Sequence, residues 1–368
     1  MLINPRHIEH IDWVLIFTVV TISIVGFAAI YSASLSYGTG TTYFQRQVLW
    51  FFAGLLVMAL TMAIDYKVML TYAFWFHLLL ILLLVLVLFY GTGSSASKVS
   101  RWIKLGPFFV QPSEFVKFSL CLALAAYFRE SRRIGDLGLK EMLWPALLTL
   151  VPFVLILKQP DLGTAGVLLI IFIPVIFLAG LRIRVIITLG IMGIFSAPLA
   201  WFFVLKEYQK ARILTLINPE SDPLGKGYHI IQSKIAVGSG GVWGKGYLEG
   251  TQAQLNFLPA RHTDFIFSVF TEEWGFVGGA SLVCLYGFFI FWCLKNIGNT
   301  KDRSGTILTL SVTTIFAAQI LINISMVLGL LPIVGMPLPF MSYGGSAMLS
   351  HMIGIGLILN VRMRRYDK

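Results

Sequence analysis

Ten stretches of this chain are long, apolar and nearly unbroken by charge, and no other property of the sequence restricts its fold so tightly. They run over residues 13–31, 48–64, 72–90, 113–128, 142–157, 165–181, 185–205, 265–294, 306–331 and 346–361. About 20 apolar residues carry a helix across the hydrocarbon core of a bilayer, and fewer suffice when flanking side chains snorkel. Inside lipid every backbone N–H and C=O needs a partner within its own segment, so runs this long and this unalternated are helices. Hydrophobic residues make up 57% of the 368 and charged ones 12%, with a mean hydropathy of +0.82, more than a soluble core needs. The expected fold is all-α: one polytopic membrane bundle of ten transmembrane helices spanning residues 1–368, with a long loop, about 206–264, between the seventh and eighth. The first run leads into further spans without a small-residue cleavage site, so it reads as a retained helix, not a signal peptide.

Lys and Arg give the bundle a direction. With a cytoplasmic N-terminus, the inner segments hold fifteen of them, including Arg6, Lys67, Arg182, Arg184 and the cluster from Arg362 onward, against five in the short opposite loops: Arg46, Lys98, Arg101, Lys104 and Lys158. Positive-inside bias then places both termini in the cytoplasm and the long loop outside, and an even number of spans agrees. The net charge of +11 sits mostly at those inner helix ends, beside anionic lipid, so it does not argue for nucleic acid. Cys121, Cys284 and Cys293 all fall in apolar runs, where an odd count argues against a disulfide framework.

The polar interruption at 218–275 is the candidate seat of chemistry. It holds eight glycines between 225 and 250, yet the run 228–237, with Ile230, Ile231, Ile235 and Ala236, has the pattern of a short interfacial helix, its apolar side toward lipid or bundle. Ionisable groups at the edge of a span are costly and face a cavity or a partner. Asp264 opens the eighth apolar run. As a helix cap it would need no further explanation, but Arg261, His262 and Thr263 crowd cation, imidazole and hydroxyl beside it. Glu114 and Lys117, three apart, share a helix face and can pair. Asp161 follows Pro160 as a turn and N-cap would, and at most one of Glu272 and Glu273 can share the Asp264 cavity. The cations Arg101, Lys104, Lys158, Lys210, Arg212, Lys226, Lys234 and Arg261 are numerous enough to hold a lipid diphosphate. Trp102 and Trp243 read as interfacial anchors. No metal-ligand spacing and no nucleotide-binding motif is present, and no cofactor is fixed by the residues. A divalent cation, Mg or Mn, shared between carboxylate and diphosphate oxygens would leave little trace in the sequence.

The strings QPSEFVK, KQPDLGTA, HIIQSKIAVGSGG, QLNFLPARHTDFIF and MPLPFMSYGGSA together resemble the SEDS family of bacterial cell-wall polymerases, and its elongation members above all, over nearly the whole chain. The resemblance implies ten spans and polymerisation of lipid II into glycan strands for cell elongation and rod shape. It also implies a class B penicillin-binding protein as partner, among other membrane proteins of the elongation machinery. It puts the essential acid on Asp264 and lines the same cavity with Glu114 and Lys117, while Ser342 and Tyr343 join the substrate-binding candidates. The reaction expected is an inverting transfer in which Asp264 takes the proton of the acceptor's sugar hydroxyl and undecaprenyl diphosphate leaves. A lipid II flippase and a non-catalytic scaffold are the rival readings. A flippase needs charged groups through the midplane, whereas these candidates sit at one end of the spans.

Overall fold

The structure is a computed structural model that describes residues 9–35, 40–93, 101–106, 108–130, 138, 140–199, 202–203, 207–222, 225–298, 300 and 302–365. Arg6, Lys98, the side chain of Lys226 and the end of the seventh apolar run lie outside what is described. Helix α1 covers Trp13–Ser34, opened by Asp12, whose carboxylate accepts from the Leu15 amide. Helices α2 (Gly40–Ala63), α3 (Tyr66–Thr71) and α4 (Ala73–Tyr90) follow. A hairpin then pairs β1 (Ile103–Leu105) antiparallel with β2 (Phe108–Val110). Beyond it come α5 (Pro112–Glu130), α6 (Leu143–Lys158), α7 (Leu162–Ala179) and α8 (Ile183–Leu199). The long loop folds into α9 (Glu207–Ile217), α10 (Lys226–Ser239) and α11 (Thr251–Gln254), and α12 (Ile266–Gly298), α13 (Arg303–Val327) and α14 (Gly345–Met363) complete the described chain.

The chain is mostly helical, and each of the ten apolar runs falls largely on a helix. Among the described residues, seven helices are long and apolar enough to cross a membrane. Among the other three, α5 carries Glu114, Lys117, Arg129 and Glu130, and α6 and α8 have 16 and 17 residues. The expectation of an all-α chain misses the hairpin, whose six residues lie in a polar stretch too short to show alternation. Helix α2 begins at Gly40, eight residues before the apolar run, so Tyr43, Arg46 and Gln47 stand on a helix and not in a loop. The reason is local: 40–47 has no breaker after Gly40, and a helix continues past the hydrocarbon edge while its side chains allow it.

Helices α5, α13 and α14 form the centre. Val116–Phe128 of α5 is buried almost throughout except Tyr127, and α14 lies along α2 while α13 packs against α5, α7 and α12. These three helices touch protein on most sides and carry many of the buried polar groups, among them Glu114, Lys117, Gln319, Asn323 and His351. On α10, Gly227, Ile230, Ser233 and Ala236 repeat every three residues and face α12 and α13. Ser233 donates to the Val327 carbonyl at 2.6 Å. Ile235 points away, 43% exposed, while Ile230 and Ala236 are buried and Val237 packs against the core.

Residues 240–277 form a latch. The amides of Lys245 and Gly246 donate to the carbonyls of Glu272 and Glu273, and Phe276 and Val277 return bonds to Gly241 and Val242. This crossing requires a kink in α12 at Gly275 (φ 65°, ψ −164°), where a Cβ would lie 2.3 Å from the Gly244 nitrogen. Only glycine satisfies both the left-handed backbone and the close approach.

Candidate functional site

The turn 260–265 that carries Asp264 is stitched to the segment before α14. Asn323 on α13 donates to the Asp264 carbonyl (2.9 Å) and the Met336 carbonyl (2.6 Å). Ser342 donates to the Thr263 carbonyl (2.6 Å) and accepts from the Leu338 amide (2.8 Å), and the Tyr343 amide donates to the His262 carbonyl (2.9 Å). Gln47 fixes the same segment, donating to the Ser342 carbonyl at 3.1 Å and accepting from the Gly344 amide at 3.1 Å. Ser342 is buried, and its hydroxyl is engaged in these two backbone bonds.

Asp264 itself is half-buried, and among the described hydrogen bonds its carboxylate takes none from a helix amide. The capping reading thus fails, because the turn ends with its backbone bonded to Ala260 and Asn323 and its side chain free to face Gly335, where a Cβ would lie 3.4 Å from the carboxylate. Burial raises its pKa from the ordinary 3.8 to about 6. Asp161 adds to the rise, and Arg101 and a hydrogen bond from Thr263 oppose it. A carboxylate poised near neutrality is what proton abstraction requires.

Asp161 does both jobs open to it. It caps α7, accepting from the Thr164 amide (3.2 Å) and hydroxyl (3.0 Å), and its charge reaches Asp264. Arg101 bridges the hairpin to this turn through the carbonyls of Gln159 (3.1 Å) and Pro160, with a guanidinium nitrogen 4.0 Å from Asp161. Gln111, at the start of QPSEFVK, reaches Asp161 at 3.4 Å. One turn along α5, Lys117 and Glu114 form a buried ion pair at 2.8 Å, and the same Glu114 oxygen accepts from Ser350 on α14 at 3.3 Å.

A cavity of about 770 Å³ opens beside Thr263, lined among others by Tyr43, Arg46, Trp50, Trp102, His262 and Tyr343. The rings of Tyr43, His262 and Tyr343 cluster, with centroids 4.8, 5.0 and 5.7 Å apart. Burial, then the Arg261 charge, pushes the His262 pKa down, so the imidazole is neutral at neutral pH. Trp102 belongs to this wall and to a backbone bridge with Thr92, which corrects its reading as a lipid anchor. Trp243 is 80% exposed.

The other expected members lie elsewhere. Arg261 is fully buried and spends donors on the carbonyls of Ala33 (2.6 Å) and Ala253, tying the turn to α1. Glu272 closes the latch with Lys245 (2.6 Å), Thr251 and the Gln252 amide, and Glu273 accepts from Ser32 on α1. Neither glutamate joins Asp264: eight residues of helix advance about 12 Å, enough to pass the cavity. Lys210 pairs with Glu207 at 3.1 Å on α9, the same helix that carries half-buried Arg212. Exposed Lys158 ends α6, and exposed Lys234 lies against Gly329. Among the described residues no three His, Cys, Asp or Glu converge as a metal site. Sequence reasoning overlooked Tyr43, Gln47 and Asn323. The available signal was a polar side chain inside or flanking an apolar run, the test already applied to Glu114.

Residues 12–367 match the family model described as cell cycle protein, FtsW/RodA/SpoVE. The chain belongs to this family. Among its FtsW/RodA/SpoVE relatives, the peptidoglycan glycosyltransferase MrdB of Escherichia coli K12 is 38% identical over 97% of this chain and 94% of that protein. The stage V sporulation protein E of Bacillus subtilis is 35% identical over 96% and 98%. A solved chain from a peptidoglycan synthase complex that coordinates polymerization and crosslinking superposes with a TM-score of 0.83, at 33% identity, covering 97% of this chain and 99% of that one. The Thermus thermophilus rod shape determining protein RodA follows at 0.72, 30% identity, and 97% and 98% coverage.

Proposed function

We propose that this FtsW/RodA/SpoVE protein is a peptidoglycan glycosyltransferase that polymerises lipid II for cell elongation. It does so as one integral domain of ten spans in the bacterial inner membrane, with both termini cytoplasmic and the Asp264 end outside. The observation that carries the reading is the Asp264 carboxylate, raised to about 6 and one residue along the turn from Thr263 on the wall of a cavity of about 770 Å³, in a chain whose relatives are named for this reaction. Asp264 takes the proton from the 4-hydroxyl of the acceptor's terminal sugar. That oxygen bonds to C1 of the donor from the opposite face, the C1–O bond breaks, and its electron pair leaves with undecaprenyl diphosphate. A diphosphate is a good leaving group without protonation, so one carboxylate is enough where a glycosidase needs two.

Arg101 stands where negative charge grows on the leaving group, and the Glu114–Lys117 pair anchors α5 and α14 behind it. A divalent ion serving the same end would take diphosphate oxygens among its ligands. The likeness to a chain from a polymerising and crosslinking complex supports a class B penicillin-binding protein as partner. The test is purified protein with lipid II, with and without that partner. Glycan strands from the wild type and none from Asp264→Asn are expected. Equal product from both would reject the base, and none from the wild type with its partner would favour a flippase or scaffold.

A further inference from the structure

The cavity beside Thr263 has three parts in a fixed order, and the order distinguishes the two substrates. At one side stand Leu49, 68% exposed on the apolar face of α2, and Ala53 one turn further into the run. Next comes Arg46, one turn earlier on the same helix, an exposed cation that hydrogen-bonds the Tyr343 hydroxyl. Then come the rings of Tyr43, His262 and Tyr343, and His262 leads through Thr263 to Asp264. Apolar surface, cation, aromatic platform and base match an amphiphile built as hydrocarbon tail, diphosphate, sugars and reacting hydroxyl. Aromatic faces receive the apolar faces of pyranose rings, and a guanidinium receives phosphate in two parallel bonds.

We propose that this cavity is the acceptor subsite, with Arg46 on the acceptor's diphosphate and the Tyr43–His262–Tyr343 platform under its sugars. The proposal rests on the polymerase reading above and adds to it which substrate lies where. In the acceptor, the hydroxyl that loses its proton is two sugar rings away from the diphosphate. In the donor, the atom attacked carries the diphosphate directly. A cation set apart from Asp264 by a ring platform therefore suits the acceptor, whereas the donor's diphosphate belongs at Arg101, whose charge Asp264 feels directly. Arg46 is not among the charges that shift Asp264.

Two lipid II analogues separate the subsites. One with a 4-deoxy terminal sugar can only donate, and one with a non-cleavable phosphonate at C1 can only accept, so together they give a single dimer. With the full-length protein and its partner, Arg46→Ala is expected to raise KM for the acceptor-only analogue about tenfold, the loss of one charge-assisted contact, and to leave the donor-only KM unchanged. Arg46→Lys should recover part of that loss, and Tyr43→Ala should repeat it where Tyr43→Phe does not. Arg46 is exposed and its removal frees only the hydroxyl of half-buried Tyr343, so Tyr343→Phe serves as the control for that lost bond. A KM effect on the donor-only analogue, or none on either, as when Arg46 meets only bulk anionic phospholipid, would overturn the assignment while leaving the polymerase intact. No dimer from the wild type would defeat the polymerase reading and this one with it.

Discussion

Replacing Asp264 by Asn should abolish activity and at the same time stabilise the protein. The carboxylate's pKa is about 6 in the fold against an ordinary 3.8, so folding disfavours its charged form. At 1.36 kcal/mol per unit, a shift of roughly two units corresponds to about 3 kcal/mol at most, less whatever water in the cavity screens. The sign follows from linkage. A raised carboxylate pKa means the folded state holds the proton more tightly, so stability is full below about pH 4 and falls as pH rises through 6. Asn removes that cost, so the variant should melt higher than wild type at pH 7.5, and the two curves should converge near pH 4. Turnover should fall by about 10²- to 10⁴-fold with loss of the base. Wild-type kcat/KM for lipid II should rise about tenfold per pH unit below 6 and level off above it. Detergent-solubilised protein, melted across pH and assayed for strand formation, tests both halves. An Asn variant that is destabilised at pH 7.5, or a rate indifferent to pH between 5 and 7, would refute the argument that burial tunes this group.

Lys117→Met should cost about 3–5 kcal/mol by leaving Glu114 buried and unpaired, and adding Glu114→Gln should recover much of it. A double-mutant cycle on melting free energy measures the coupling, and strictly additive losses would count against it. Gly275→Ala should destabilise the latch by at least 1–3 kcal/mol from the backbone alone, with more from the contact at Gly244. Faster hydrogen exchange over 240–258 would register it. Lys210→Ala should keep activity within about twofold, since an ion pair this exposed contributes little. A tenfold loss in the lipid II assay would return Lys210 to the substrate site.

Much of this protein was legible before any coordinate. Helices sit where the apolar runs are because backbone in lipid has no other way to satisfy its hydrogen bonds, and that constraint is local to each run. Asp264, Glu114, Lys117 and Asp161 stood out for the same reason: a charge at a membrane edge needs a purpose. What a one-dimensional reading could not provide is which polar groups meet. Arg261 and Glu272 looked like neighbours of Asp264 because they are close in sequence, yet their partners are Ala33, Ala253 and Lys245. Tyr43 and Arg46 looked like loop residues, yet α2 carries them more than 200 positions across the chain to His262. A mostly helical chain and the residue types available at its edges follow from hydrophobicity and composition, which each segment owns by itself. The cavity and the raised pKa of Asp264 arise from packing of α2, the hairpin and the turns before α12 and α14, and only the folded bundle decides which of those surfaces share a wall.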